Sequence, residues 1–135
     1  MKNFTAIIIG GTGQFGLILS LLLLNKKFKI FITSRYIKKI KILKKKYPHI
    51  NFVKLNIYNK VRLKDLLKKI NPDYIFYFAG QSSPKISFEQ REQTMKSNYV
   101  GCKNVLRIIY ENNINTKFFN ASSSEMYGHI KGKIT

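Results

Sequence analysis

The sequence predicts an α/β fold in which a doubly wound parallel sheet carries helices on both faces. Three observations predict it. Five short apolar runs are separated by four longer helical stretches along 135 residues. Several runs are continuously apolar rather than alternating, as strands covered on both faces must be. The first run breaks into a glycine-rich turn that opens directly into a helix.

The elements follow in order. Residues 6–9 form a first strand, and the apolar stretch 14–24 a first helix. A second strand over 28–33 leads to a helix over 36–46, which Tyr47-Pro48 ends because a residue before proline is pushed out of the α region. A short strand over 51–55 precedes a helix over 61–70, closed by Asn71-Pro72. The run 73–78, Asp-Tyr-Ile-Phe-Tyr-Phe, reads as a fourth, buried strand. A polar loop over 79–87, a long helix over 90–113 and a fifth strand over 116–121 complete the pattern. Residues 1–135 make one domain, with the doubly wound sheet truncated after its fifth strand.

The stretch Ile7 to Gly16, Ile-Ile-Ile-Gly-Gly-Thr-Gly-Gln-Phe-Gly, organises this pattern. A diphosphate needs glycines where the backbone must turn tightly and approach its oxygens. It also needs free N–H groups at a helix start. Two registers fit, Gly11-x-Gly13-x-x-Gly16 and Gly10-x-x-Gly13-x-x-Gly16. A tight structural turn would use the same glycines, but the preceding strand and following helix favour a phosphate site in a Rossmann-like domain.

Composition narrows the function classes. A hydrophobic fraction of 44% suits a packed core. The single cysteine, Cys102, forms no internal disulfide, which fits a reducing cytoplasm. His49 and His129 are isolated and no cysteine pair exists, so no metal site is expected. The apolar run 17–24 is far shorter than a bilayer span. A net charge of +19 suggests nucleic acid or an anionic membrane as partner. The lysines between 38 and 46, however, interleave with Ile40, Ile42 and Leu43 as on an ordinary solvated helix, and no nucleic-acid-binding signature accompanies them. Neither nucleic acid nor membrane is the expected partner.

In such sheets ligands sit beyond the carboxyl ends of the strands. An NAD enzyme places an acid at the end of the second strand to hold the adenosine ribose, yet no Asp or Glu precedes Asp65. Thr33-Ser34-Arg35 stands there instead, with Lys38 and Lys39 one turn on. Arg35 is placed to pair with a ribose 2′-phosphate, which points to NADP; a solvated surface arginine would read the same. The fourth strand ends in Phe78-Ala79-Gly80-Gln81-Ser82. The fifth ends in Asn120-Ala121-Ser122-Ser123-Ser124-Glu125-Met126-Tyr127-Gly128, hydroxyls beside a carboxylate that suit a sugar and a proton transfer.

Together, Gly-Gly-Thr-Gly-Gln-Phe-Gly, Phe-Ala-Gly-Gln-Ser-Ser, Ser87-Phe88-Glu89 and Ala-Ser-Ser-Ser-Glu-Met-Tyr-Gly resemble the extended short-chain dehydrogenases/reductases of the epimerase/dehydratase type. Among these the similarity is strongest to the GDP-mannose 4,6-dehydratases, and it runs over the whole chain in the right order. By this resemblance Gly10, Gly13 and Gly16 take the family's glycine positions, and Gly11, Thr12, Gln14 and Phe15 complete the loop around the pyrophosphate. Asn56 and Ile57 follow the third strand at the adenine side, and Phe78, Ala79, Gly80, Gln81 and Ser82 line the nicotinamide side. Ser123 matches the catalytic Ser/Thr and Glu125 the catalytic glutamate. The implied activity is a lyase-type dehydration of a nucleotide sugar, GDP-mannose favoured, with tightly held NADP, in a cytoplasmic homo-oligomer.

Three departures stand out. Asn56 replaces an aspartate, and Phe15 replaces a common acid. The family's Tyr-x-x-x-Lys pair belongs on a helix after the fifth strand, and this implies that pair and the substrate domain lie beyond Thr135. Tyr99-x-x-x-Lys103 and Tyr127-x-x-x-Lys131 match formally. With eight tyrosines and so many lysines, chance alone supplies about one such match. Tyr99 precedes the serine strand, and Gly128 would break the helix around Tyr127. The 135 residues alone are therefore expected to bind cofactor without turnover. An epimerase, reductase or decarboxylase of the same family is the alternative reading. From another class come a non-catalytic NADP-binding module and an inactive relic.

Overall fold

The computed structural model describes residues 3–81 and 83–122. Its element order is β1 (Thr5–Ile9), α1 (Gln14–Asn25), β2 (Lys29–Ser34), α2 (Ile37–Lys46), β3 (Asn51–Lys54), α3 (Lys60–Ile70) and β4 (Tyr74–Tyr77). Then follow α4 (Pro84–Glu89), α5 (Arg91–Met95), a π-helical turn (Lys96–Gly101), α6 (Cys102–Glu111) and β5 (Lys117–Asn120). The five strands are parallel, in the order β3-β2-β1-β4-β5. After β3 the chain crosses back over the sheet to lay β4 beside β1. The gap between the ends of β1 and β4 is thus the point where strand order reverses, the place where open α/β sheets generally hold their ligands.

The continuous apolar character of β1 follows from its place at the sheet's centre. Alternate side chains point to opposite faces, so every residue must enter a core. Ile7 and Ile9 join Ile75 and Tyr77 against Leu63 and Leu67 of α3 and Val105 and Ile108 of α6. Ala6 and Ile8 join Ile30 and Ile32 against Leu23 of α1. Both faces are covered around β1, whose Ala6 to Ile9 are fully buried. Burying each such isoleucine is worth about 1.5–3 kcal/mol.

The helices stop and start for local reasons. Asn59 caps α3 by accepting the Arg62 N–H at 3.0 Å, and Asn71 closes the helix in the left-handed region at φ 45°. On the outer surface of α1, Phe15, Ile18 and Leu22 are exposed, as is Phe119 of β5.

Two local features differ from the pattern read in the sequence. The polar loop after β4 contains α4, capped by Ser83. The single long helix expected over 90–113 is three segments, α5, the π turn and α6. Tertiary hydrogen bonds explain the wide turn. The buried Tyr77 hydroxyl donates to the Ser97 carbonyl at 2.5 Å, drawing that carbonyl toward the sheet. Gly101 ends the turn because a Cβ there would overlap Tyr77 Oη and Ile57 Cδ1.

Candidate functional site

A cleft of about 600 Å³ opens beyond the carboxyl ends of β1, β2, β3 and β4. Its floor is the glycine turn. Gly10 adopts φ +76°, and a Cβ on it would lie 2.6 Å from Ala79 Cα, so a side chain here would wedge the ends of β1 and β4 apart. Gly16 is equally confined, since its Cβ would overlap Gly11 Cα and sit 2.7 Å from the Gly11 carbonyl oxygen; this glycine lets α1 close onto the strand. Gly13 differs. A Cβ there would meet nothing nearer than Gly10 O at 3.9 Å, so packing does not require glycine and the space is left to the cleft. Gly13 also stands at the N-cap of α1, whose first turn carries neither a side-chain cap nor an acid. Its free N–H groups and positive dipole end suit an anion.

The wall at β2 is built from hydroxyls and cations. Thr12 Oγ1 donates to Ser34 Oγ at 3.2 Å, tying the glycine turn to the end of β2, and Ser34 Oγ also accepts the Tyr36 N–H at 3.2 Å. Arg35 is exposed and lays its guanidinium over the Tyr36 ring, 4.8 Å from its centroid. Lys39 completes this side. Among the described residues that line the cleft there is no carboxylate, while Arg35, Lys39 and Lys96 are cations. Lys96 is engaged with Glu92 at 2.5 Å, whose carboxylate holds the ammonium pKa above its usual value.

The other walls come from β3, β4 and the π turn. Asn56 lines the cleft while its Oδ1 accepts the Tyr58 N–H at 3.1 Å. Ile57 lies beside it, its carbonyl accepting Asn104 Nδ2 at 3.4 Å. Ala79, Gly80 and Gln81 form a rigid edge after β4, because Asn98 grips Gln81 in both directions. Its Oδ1 accepts the Gln81 N–H at 2.8 Å, and its Nδ2 donates to the Gln81 carbonyl at 3.2 Å. Ser97 Oγ donates to the same Oδ1 at 2.8 Å.

Of the residues singled out from sequence, the structure brings together Gly10, Thr12, Gly13, Arg35, Asn56, Ile57, Phe78, Ala79, Gly80 and Gln81 around one cleft. Gly11, Gln14, Phe15 and Gly16 are not on its lining: the two glycines pack turn against helix, and Gln14 and Phe15 are exposed on the first turn of α1. Ser82, Ser123 and Glu125, with the Tyr127–Lys131 match, fall outside the described residues. Tyr99 and Lys103 lie on an exposed helix face away from the cleft, their Oη and Nζ 3.4 Å apart. Sequence reasoning missed Gln93, Thr94, Lys96 and Ser97, which the kinked helix swings onto the rim. The one local signal for them is the small, polar Ser97-Asn98 ahead of Gly101. Among the described residues there is no group of three or more metal-ligating side chains, and no helix long and apolar enough to cross a membrane.

Comparison with known proteins finds both GDP-mannose 4,6-dehydratases and UDP-glucose 4-epimerases. The family model for GDP-mannose 4,6-dehydratase matches residues 7–135. A GDP-mannose 4,6-dehydratase of Yersinia enterocolitica is 31% identical over 93% of this chain and 37% of its own length. One from Dictyostelium discoideum is 28% identical over 93% of this chain and 39% of its own. The crystal structure of UDP-glucose 4-epimerase from Brucella ovis in complex with NAD superposes with a TM-score of 0.81, at 18% identity, over 97% of this chain and 39% of that one. The shared fold is therefore Rossmann-like, and the chain spans less than two-fifths of the length of each of these three proteins.

Proposed function

The chain belongs to the GDP-mannose 4,6-dehydratase family, and on that premise we propose that it is the cofactor-binding part of a nucleotide-sugar 4,6-dehydratase that uses NADP and acts on GDP-mannose. The observation that carries this reading is the cleft between the glycine turn and the end of β4, with Arg35 and Lys39 on its rim and no carboxylate among its described lining residues. A dinucleotide fits the residues present. The space beside Gly13 and the free N–H groups of α1 suit the pyrophosphate. Ser34 stands where an acid would repel a 2′-phosphate, and Arg35 offers that phosphate a charge-assisted pair.

A nicotinamide cofactor held in this cleft would supply reversible hydride transfer to and from the sugar. The chain's own residues do the rest. Thr12 and Ser34 join the phosphate-binding turn to the ribose side, and the Asn98 grip on Gln81 fixes the wall where the nicotinamide side belongs. Ser123, by its match to the family's Ser/Thr, holds the sugar C4 hydroxyl. Glu125 removes the C5 proton and serves the hydroxyl leaving C6. Epimerisation at C4 needs only hydride removal and return, so Glu125 is what separates dehydration from the epimerase reading that the Brucella ovis fold permits.

The test uses the full-length protein with C5-deuterated GDP-mannose. Glu125→Gln should still oxidise C4 and reduce NADP⁺, yet neither exchange the C5 deuterium with solvent nor release the 4-keto-6-deoxy product. Dehydration at the unmutated rate would remove the main support for a dehydratase. For the cofactor, NADP(H) should bind at least about tenfold more tightly than NAD(H), a charge-assisted pair being worth roughly 1.5–3 kcal/mol, and Arg35→Ala should erase most of that preference.

A further inference from the structure

We propose that Lys39 is a second specificity-determining cation of the cofactor cleft, sharing with Arg35 the recognition of a doubly charged phosphate monoester on the bound ligand. The proposal rests on the NADP reading above, whose 2′-phosphate is such a group.

Helix α2 reads Ile-Lys-Lys-Ile-Lys-Ile-Leu-Lys-Lys-Lys, and although Lys38 and Lys39 both stand one turn past Arg35, the string does not choose between them. The fold separates them. Ile40 buries toward the sheet, and of the helix's six lysines Lys39 alone lines the cleft. Lys41, two residues on, points to the other side of the helix and lines only a shallow surface depression with Ile42, Lys44 and Lys45.

Lys39 shares its rim with Arg35, Tyr36 and Ser34, and the charges there are unbalanced. None of the cleft's described lining residues is acidic, and α2 has no acid in its first turn. The third cation, Lys96, is taken by Glu92. Arg35 and Lys39 therefore line one cavity with no acidic residue among its described lining residues. Cations lining one cleft make its potential positive, which favours an anionic ligand and a dianion most.

The two cations also present different chemistry. The guanidinium of Arg35 lies over the Tyr36 ring, which orients its planar donor fork. Lys39 offers a compact ammonium on a flexible stem that adapts to the remaining phosphate oxygen. Arg35 thus supplies geometry and Lys39 supplies charge.

The test is calorimetric titration of the chain with NADP⁺ and, separately, NAD⁺, for the unmutated protein, Lys39→Gln, Lys39→Arg and Lys41→Gln, at two salt concentrations. Lys39→Gln should weaken NADP⁺ by about three- to tenfold and leave NAD⁺ unchanged, because an exposed charge pair to phosphate is partly screened. Lys39→Arg should keep most of the preference. Lys41→Gln, which removes the same charge from the opposite side, should shift neither cofactor. The effect of Lys39→Gln should shrink at high salt. If unmutated protein prefers NADP⁺ and Lys39→Gln preserves that preference in full, the role of Lys39 is wrong while the cofactor reading stands. If the unmutated protein binds both cofactors equally, the cofactor reading fails and Lys39 falls with it. Equal weakening of both cofactors by Lys39→Gln also overturns the proposal, since that marks a role in folding rather than in phosphate recognition.

Discussion

Replacing Asn98 with alanine should cost this protein more in ligand binding than its position, away from the glycine turn, suggests. The Asn98 side chain makes three hydrogen bonds: to the Gln81 N–H at 2.8 Å, to the Gln81 carbonyl at 3.2 Å and from Ser97 Oγ at 2.8 Å. Each is worth a net 0.5–1.5 kcal/mol, and since the site is only half-buried water recovers part of this, so the loss of stability should be about 2 kcal/mol. Alanine also frees the backbone at Gln81, on the wall of the cleft. Fixing one residue's backbone costs about 1–2 kcal/mol, so a ligand that must order this edge should bind about tenfold more weakly. Urea denaturation reads the first quantity and calorimetric titration with NADP⁺ the second. A stability change below about 0.5 kcal/mol together with unchanged affinity would refute the grip as the device that holds this wall.

Two further outcomes follow from the packing and from Tyr77. Gly16→Ala drives a Cβ into the Gly11 backbone, which cannot yield as a flexible side chain would; a loss of about 3 kcal/mol, seen as a melting point lower by about 10 °C, is expected. An unchanged melting curve would show that α1 docks with slack. Burial, with smaller contributions from Cys102 and Tyr58, holds the Tyr77 phenol above its ordinary pKa of about 10. The folded protein keeps a proton that the unfolded chain releases, so this contribution is present in full below pH 10 and is lost as pH rises further. Tyr77→Phe should cost about 1 kcal/mol at neutral pH through the lost Ser97 bond, yet decline less steeply than the unmutated protein above pH 10. Parallel alkaline declines would contradict it.

The strands and helices were legible because their causes are local or periodic. Ile7 to Ile9 are apolar without alternation since both faces of β1 are buried, and Pro48 and Pro72 mark helix ends in the string itself. Bounds differ from those read in sequence by at most one residue for all five strands and the first three helices, as fraying ends allow. What stayed hidden depends on partners far along the chain. The π turn exists because Tyr77 reaches Ser97 and Asn98 reaches Gln81, across 20 and 17 residues, and no window of sequence displays such a bond. The site divides in the same way. Gly10, Gly13 and Arg35 were readable from strand–turn–helix chemistry. Lys38 and Lys39 stood together one turn past Arg35, and only setting the helix against the sheet puts Lys39 on the cleft. Gly11 and Gly16 look like phosphate-binding glycines in the motif, and the contacts around them are those of turn against helix.

The central claim is that one cleft, from the glycine turn to the end of β4, holds a dinucleotide with its extra phosphate at the end of β2. Titrating isotope-labelled protein with NADP⁺ while recording amide resonances tests it most directly. The account predicts saturable shifts clustered at Gly10, Thr12, Gly13, Ser34, Arg35, Lys39 and residues 79–81, with NAD⁺ sparing those at Arg35 and Lys39. Shifts confined to Lys41, Lys44 and Lys45 on the outer face of α2, or no saturable shift at all, would contradict it.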